Sequence, residues 1–89
     1  MPPRRKSEIW NRPVLVRAIA REQRRIVGVL EARRHELGCT QEKAAEHIGV
    51  HEKALARMER GEAIVTLASL VAVTRAYRID LAALFAGSA

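Results

Sequence analysis

The stretch CTQEKAAEHIGVHEKALARMERG, Cys39–Gly61, contains two short helical patterns that are separated by one glycine. Two helices that meet at a steep angle through a short turn require a small side chain at the crossing point, and Ala45 supplies it. The turn also requires a residue that tolerates a left-handed or crowded backbone, and Gly49 follows Ala45 by four residues. Leu55 and Met58 lie where apolar side chains of the second helix reach back to the first. The spacing therefore predicts a helix-turn-helix unit.

Capping residues predict where the helices begin and end. Polar caps with oxygen side chains favour helix starts, and glycine favours helix stops. The expected caps are Thr40, Thr66 and Asp80, and the expected stops are Gly38 and Gly61. The expected helices cover about 41–47, about 52–60, 67–77 and a short segment after residue 80. Residues 62–65 are then a connector.

Upstream of this unit, apolar residues spaced by four and seven follow one helical face. They are Leu15, Ile19, Ile26, Leu30 and Leu37. The pattern fits one long helix or two consecutive helices, with any break expected in the polar segment 21–25. In the helix over 67–77, the side chains expected to face the core are Leu67, Leu70, Val71 and Thr74. No alternating apolar pattern predicts a strand, so the expected fold class is all-α.

The positive charge of the chain is concentrated at its beginning. Residues 1–25 contain eight basic and two acidic side chains, whereas residues 26–89 contain eight of each, so the net charge of +6 lies in the first segment. A clustered positive end favours polyanions, with nucleic acid ahead of an anionic membrane surface, although a solvated tail that aids solubility has the same composition. We expect the chain to divide into a flexible basic arm (1–12), a helical extension (13–25), a helix-turn-helix domain (26–86) and a tail (87–89).

The sequence lacks the motifs of enzymes, such as a phosphate loop, GxSxG or HExxH. One set of residues has spacings that superficially resemble a zinc site, but glycines separate its members onto different elements. These residues are His35, Cys39, His47 and His51. We therefore expect no catalysis, no metal, no cofactor and no small-molecule ligand. A lone cysteine and no apolar run of about 20 residues predict a cytoplasmic, nucleoid-associated protein without a membrane span.

Two segments resemble the Cro/cI-type (Xre-like) helix-turn-helix DNA-binding domain of phage and bacterial repressors: TQEKAAEHIGVHEKALARMERGE (40–62) and TLASLVAVTRAYRIDLAALF (66–85). The resemblance runs from about residue 26 to residue 85, and its most specific parts are TQ, IGV and ERG. It implies a lambda-repressor-like bundle of five helices that binds operator DNA as a dimer. The sequence departs from the family where Ala44 replaces a usual leucine, where Ile and Val at 64–65 replace Asn-Pro, and where Arg78 replaces glycine.

A recognition helix of this type enters the major groove with its N-terminal half, and here that helix is expected at about 51–60. The residues expected to contact DNA from it are His51, Glu52, Lys53, Ala56, Arg57 and Arg60. Glu52 is suited to accept from a cytosine amino group, and Lys53 is suited to donate to guanine. Gln41, beside Thr40 at the start of the preceding helix, resembles the family glutamine that clamps a phosphate and braces the recognition helix.

The first 25 residues add two expectations. Arg4, Arg5 and Lys6 are expected to lie in a minor groove or along phosphates, which adds salt-dependent affinity. If this segment is helical, Arg17, Arg21 and Arg24 or Arg25 form a basic stripe that touches DNA or flanks an apolar dimer face. That face consists of Val14, Leu15, Ala18 and Ile19, and packing onto the chain's own core is the alternative.

Together these features predict a sequence-specific regulator of transcription, a repressor that acts as a homodimer on double-stranded DNA. The alternative is a protein-interaction module of the same fold, antitoxin-like or an adaptor, with weak or no specific DNA binding. Acidic residues near the reading face support that alternative because they lower the local positive potential. They are Glu46, Glu52, Glu59 and Glu62.

Overall fold

The computed structural model describes residues 12–87, and within that range it contains five helices and no strand. The helices are α1 (Arg12–Glu36), α2 (Gln41–Ile48), α3 (Glu52–Glu59), α4 (Leu67–Tyr77) and α5 (Leu81–Ala86). The fold is therefore all-α, as the sequence predicts. The expected arm contacts, Arg4, Arg5 and Lys6, lie outside the described residues.

Three helix starts carry the caps that the sequence predicts. Thr40 Oγ1 accepts from the Lys43 N–H at 3.1 Å, Thr66 Oγ1 accepts from the Ser69 N–H at 3.1 Å, and Asp80 Oδ1 accepts from the Ala82 N–H at 3.3 Å. Each cap satisfies one of the N–H groups that a helix start leaves unpaired. These signals are local and can be recognised in the sequence. The predicted ends of α2 and α3 therefore differ from the observed ends by only one residue.

Helix α1 is a single helix of 25 residues, without a break at 21–25. Its second half packs on the bundle, where Ile26, Val27, Leu30 and Arg34 are buried. Its first half, residues 12–25, extends past the bundle, and we call this segment the overhang. A continuous helix thus joins the expected extension to the expected domain, and the division of the chain at residue 25 stays a prediction.

The overhang changes the expected core face of α1. Of the five apolar residues predicted to share that face, only Ile26 and Leu30 are buried, and Leu15, Ile19 and Leu37 are exposed. The periodicity is correct, but the bundle covers only about two turns of the helix. An apolar stripe that runs beyond its covering elements remains in contact with solvent.

The core is formed by buried apolar side chains from all five helices, and Leu30, Leu55 and Leu84 are the largest that are fully buried. In α4 the inward prediction is correct for Leu70 and Thr74 and wrong for Leu67 and Val71, which are exposed. Besides Leu70 and Thr74, α4 buries Val73 and Tyr77. Leu67 keeps the helical spacing but lies in the first turn of α4, beyond the edge of the core.

Arg78, which replaces the family glycine, ends α4 in the left-handed region, with φ 56° and ψ 46°. It has a positive φ without being glycine, and its side chain is exposed. The turn is held because the N–H of Ile79 donates to the carbonyl of Thr74 at 2.9 Å. A side chain in this conformation brings Cβ close to the backbone oxygen, which costs about 1–2 kcal/mol.

We expect Arg78→Gly to stabilise the fold by about 0.5–1 kcal/mol, because relief of this strain outweighs the extra backbone entropy that glycine loses on folding. Arg75→Gly, in the exposed helical part of α4, is the matched control and is expected to destabilise by about 1 kcal/mol. Urea denaturation followed by circular dichroism measures both. The account of this turn fails if the two glycine substitutions change stability in the same direction.

Candidate nucleic-acid interface

The turn between α2 and α3 closes on Ala45. Gly49 has φ 87° and ψ 29°, and its N–H donates to the carbonyl of Ala45 at 2.8 Å, while the N–H of Val50 donates to the same oxygen at 3.1 Å. Ala45 is buried at the crossing, and Leu55 and Met58 of α3 are buried on the face that reaches back. The four residues therefore have the roles that the helix-turn-helix spacing predicts.

Helix α3 has a buried face and an exposed face. Leu55 and Met58 form the buried face, and Glu52, Lys53 and Arg57 are exposed. Lys53 and Arg57 are four residues apart, so they lie on the same side of the helix. The helix thus presents a cationic pair from a support that is held by the core.

The other three residues that are predicted to contact DNA from this helix differ in exposure and in hydrogen bonding. His51 is exposed and caps α3, since its Nδ1 accepts from the Lys53 N–H at 3.3 Å, a structural role that the sequence interpretation did not include. Ala56 is half-buried. Arg60 follows the last residue of α3, and its Nε donates to Oε2 of Glu62 at 2.9 Å, which reduces the positive charge at that end.

A buried carboxylate at the end of α3 links three helices. Arg34 of α1 donates to both oxygens of Glu59, from Nε to Oε2 at 2.7 Å and from Nη2 to Oε1 at 3.0 Å. Gln41 of α2 donates from Nε2 to Oε1 of Glu59 at 2.9 Å. Arg34 Nη1 also donates to the carbonyl of Cys39 at 2.8 Å. Because the Glu59 side chain is 2% exposed, this network fixes α3 against α1 and α2 with little competition from water.

The network shifts the pKa of its members. Burial by itself raises the pKa of Glu59, but the hydrogen bonds from Arg34 and Gln41 outweigh it and hold that pKa below its usual value. The pair therefore stabilises the fold above the pKa of the unfolded carboxyl group and loses this contribution as the pH falls through the folded pKa. Burial, and then the charge of Glu59, raise the pKa of Tyr77 to about 12.

The acidic residues that were expected near the reading face are largely paired within the chain. Glu59 is buried against Arg34, so it does not contribute to the exposed face of α3, which corrects its placement. Glu62 pairs with Arg60, and Glu46 lies 3.7 Å (Oε2 to Nζ) from Lys43. The negative potential that these carboxylates add to the surface is thus partly cancelled.

The basic residues of the overhang are divided by their contacts. Arg17, Arg21 and Arg24 are exposed, whereas Arg25 pairs with Glu22. Arg24, and not Arg25, is therefore the third residue of the basic stripe. Arg24 also lines a groove of about 420 Å³ between α1 and the end of α3, together with Arg60. The basic stripe therefore begins next to the C-terminal end of the helix that carries Lys53.

No group of three or more His, Cys, Asp or Glu side chains within residues 12–87 is arranged to hold a metal ion. None of the helices described is long and apolar enough to cross a membrane.

The family model HTH_3, described as helix-turn-helix, matches residues 29–84. These residues include the α2–α3 pair and all the side chains of the Arg34–Glu59 network, and they exclude the overhang. No curated protein and no solved structure matches the chain significantly.

Proposed function

The chain belongs to the Cro/cI-type (Xre-like) family of helix-turn-helix DNA-binding domains, and from this we propose that it is a sequence-specific transcriptional repressor that acts as a dimer in the cytoplasm. The observation that carries the proposal is the construction of α3. Its exposed face presents Lys53 in the first turn and Arg57 in the last turn, and its other face is buried and ion-paired. A rigid support for a few base-reading side chains is what recognition in a major groove requires.

The side chains of α3 have chemically distinct tasks in this proposal. Lys53 donates to guanine O6 or N7, and Glu52 accepts from the cytosine amino group. Arg57 contacts a base or a phosphate, and the paired Arg60 is assigned to phosphate. His51 and Ala56 border the base edges, at the start and in the middle of the helix.

Helix α2 contributes phosphate contacts. Thr40 caps this helix, and Gln41 follows at its first position. Backbone N–H groups at a helix start favour an anion, so this end of α2 is suited to one phosphate of the duplex. Gln41 also donates to Glu59 at 2.9 Å, so the residue assigned to the phosphate is connected to the recognition helix. Arg4, Arg5 and Lys6 are assigned to the DNA backbone or minor groove.

A dimer follows from the size of the reading surface. One recognition helix of this length covers only a half-site, and two copies related by a two-fold axis read a palindromic operator. We assign the pairing of the two copies to the overhang, where the sequence indicates Val14, Leu15, Ala18 and Ile19.

The alternative function, a protein-interaction module of the same fold, draws its support from acidic residues near the reading face. The structure removes part of that support, since Glu59 is buried and two of the other three residues lie beside a basic partner. DNA reading is therefore the better supported of the two functions.

Lys53→Ala tests the assignment of the recognition helix. We expect binding to a DNA site selected by the wild-type chain to weaken by about 1–3 kcal/mol, roughly 5- to 150-fold, with relaxed preference at one base pair. Fluorescence anisotropy of labelled duplexes at fixed salt concentration measures this loss. Arg75→Ala, which removes an exposed cation from α4, is the control and should leave the affinity unchanged. Equal loss on the selected site and on mixed-sequence DNA would instead make Lys53 a phosphate contact.

A further inference from the structure

The apolar face of the overhang continues the core face of α1. Ile19 precedes the buried Ile26 by seven residues, which is two helical turns, so the two side chains lie on the same side of the helix. Leu15 and Val16 lie one turn further toward the N-terminus on that side. Val16 and Ile19 are 59% and 58% exposed. A soluble domain rarely leaves such a stripe uncovered.

A groove lies at the base of this stripe. It has a volume of about 200 Å³ between α1, α4 and α5, and Gln23, Ile26, Leu67 and Phe85 are among the residues that line it. Leu67 and Phe85 are 66% and 52% exposed, although their neighbours in α4 and α5 form the core. The exposed stripe and the groove meet at Gln23, one turn after Ile19. Together they form one surface, which we call the apolar corner: Leu15, Val16, Ile19, Leu67 and Phe85.

We propose that the apolar corner binds the apolar corner of a second copy of this chain, with the two overhangs antiparallel across a two-fold axis near Ile19. A projecting helix with a groove at its base is self-complementary under such an axis, because each copy supplies both parts. An axis at residue 19 places Leu15 of one copy opposite residue 23 of the other. The N-terminal turn of each overhang thereby reaches the groove that Leu67 and Phe85 border.

The charge distribution is compatible with this occupant. At about 100° per residue, Arg17, Arg21 and Arg24 project from the side of α1 away from the apolar stripe. Two overhangs that pair through their apolar faces therefore keep both basic stripes on the outside, where their repulsion is screened by solvent. The cationic surface remains accessible to DNA in the pair.

The size of the surface also matches. The five residues of the apolar corner are between 37% and 66% exposed, so together they offer roughly 500 Å² of surface per copy. The smallest stable interfaces bury about 1,200 Å² in total, which is about 600 Å² from each partner. A little over half of that area is apolar. The overhang supplies a little over half of the exposed surface of the apolar corner, and the residues that border the groove bring the total close to the size of a small stable interface.

This arrangement deepens the dimer of the proposed function but does not require DNA. Of the four residues that the sequence predicts for the dimer face, it keeps Leu15 and Ile19. It replaces Val14 and Ala18 by Val16, because the helical spacing turns Val14 and Ala18 away from the groove.

Disulfide trapping tests the two-fold axis. In a Cys39→Ser background, Ile19→Cys is expected to form a covalent dimer when the full chain is oxidised with glutathione disulfide in the absence of DNA. Arg17→Cys, on the opposite side of the overhang, is the matched control and should remain monomeric on a non-reducing gel. Failure of Ile19→Cys to cross-link, or equal cross-linking of Arg17→Cys, would overturn the arrangement.

Charge insertion tests the groove by sedimentation equilibrium, again without DNA. Leu67→Glu is expected to raise the dimer dissociation constant by at least about tenfold, because a carboxylate would have to be desolvated in the interface. Ile64→Glu, at an apolar position that is 85% exposed outside the apolar corner, should leave it unchanged. Circular dichroism checks that both variants are folded.

The results separate this inference from the proposed function. A wild-type chain that stays monomeric at the concentrations where it selects a DNA site would overturn the apolar corner and leave DNA reading intact. A dimer that cross-links at Ile19 but selects no site would support the apolar corner and contradict the repressor.

Discussion

Arg34→Met is expected to lower the free energy of unfolding by about 3–5 kcal/mol, because it leaves the carboxylate of Glu59 buried without its charged partner. The side chain of Glu59 is 2% exposed, so water cannot replace the two hydrogen bonds that Arg34 donates to it. A domain of this size has a total stability of about 5–13 kcal/mol, so the loss is a large share of it. Urea denaturation followed by far-ultraviolet circular dichroism measures the change.

Two further variants separate the pair from general loss of charge. Arg25→Met, which breaks the exposed pair with Glu22, should leave the unfolding midpoint nearly unchanged, since solvent screens that pair. The double variant Arg34→Met with Glu59→Met should recover most of the loss, because it buries no unpaired charge. If the single and double variants are equally destabilised, the loss comes from packing and the buried pair is not its cause.

Leu55→Ala is expected to destabilise the fold by about 2–5 kcal/mol, since Leu55 is among the largest fully buried side chains and its truncation leaves a cavity. Leu55 is also the residue that fixes the buried face of α3, so the same variant should bind DNA more weakly at temperatures where it remains partly folded. Thermal and urea denaturation measure stability.

Ile64→Ala is the matched control for Leu55→Ala, because it removes the same number of carbon atoms from a side chain that is 85% exposed. Its stability should change by less than about 0.5 kcal/mol. A loss at Leu55 as small as the loss at Ile64 would show that α3 is not anchored through its apolar face.

The helix-turn-helix unit could be predicted from the sequence because its requirements are local. Gly49 adopts a positive φ, Thr40 caps α2 and Ala45 accepts from the turn, and each follows from what one residue type does to the nearby backbone. The exposed cations of α3 follow in the same way, since Leu55 and Met58 define its inner face. For His51 the sequence predicts a DNA contact and no cap, because use of the ring as a cap depends on its tautomer and orientation.

Burial along α1 and α4 could not be predicted in the same way. Periodicity shows which residues share a helical face, but it does not show how far another helix covers that face. Ile19 and Leu67 keep the correct spacing and are nevertheless exposed, because each lies beyond the end of the elements that pack on it.

The Arg34–Glu59 network joins residues that are 25 positions apart, so no local pattern indicates it. One signal was present in α1, where Ile26 and Leu30 are followed at the same spacing of four by Arg34. An arginine in the position of a core residue indicates a buried partner elsewhere in the chain, and the sequence does not show which carboxylate that is.

Selection of DNA sites by the full-length wild-type chain from a pool of random duplexes, followed by sequencing, tests the central claim most directly. We expect a two-fold symmetric sequence with half-sites about one helical turn apart and strong preference at the base pairs that Lys53 and Glu52 face. Recovery of duplexes with no shared sequence, from a chain that is folded and binds DNA, would contradict recognition by α3.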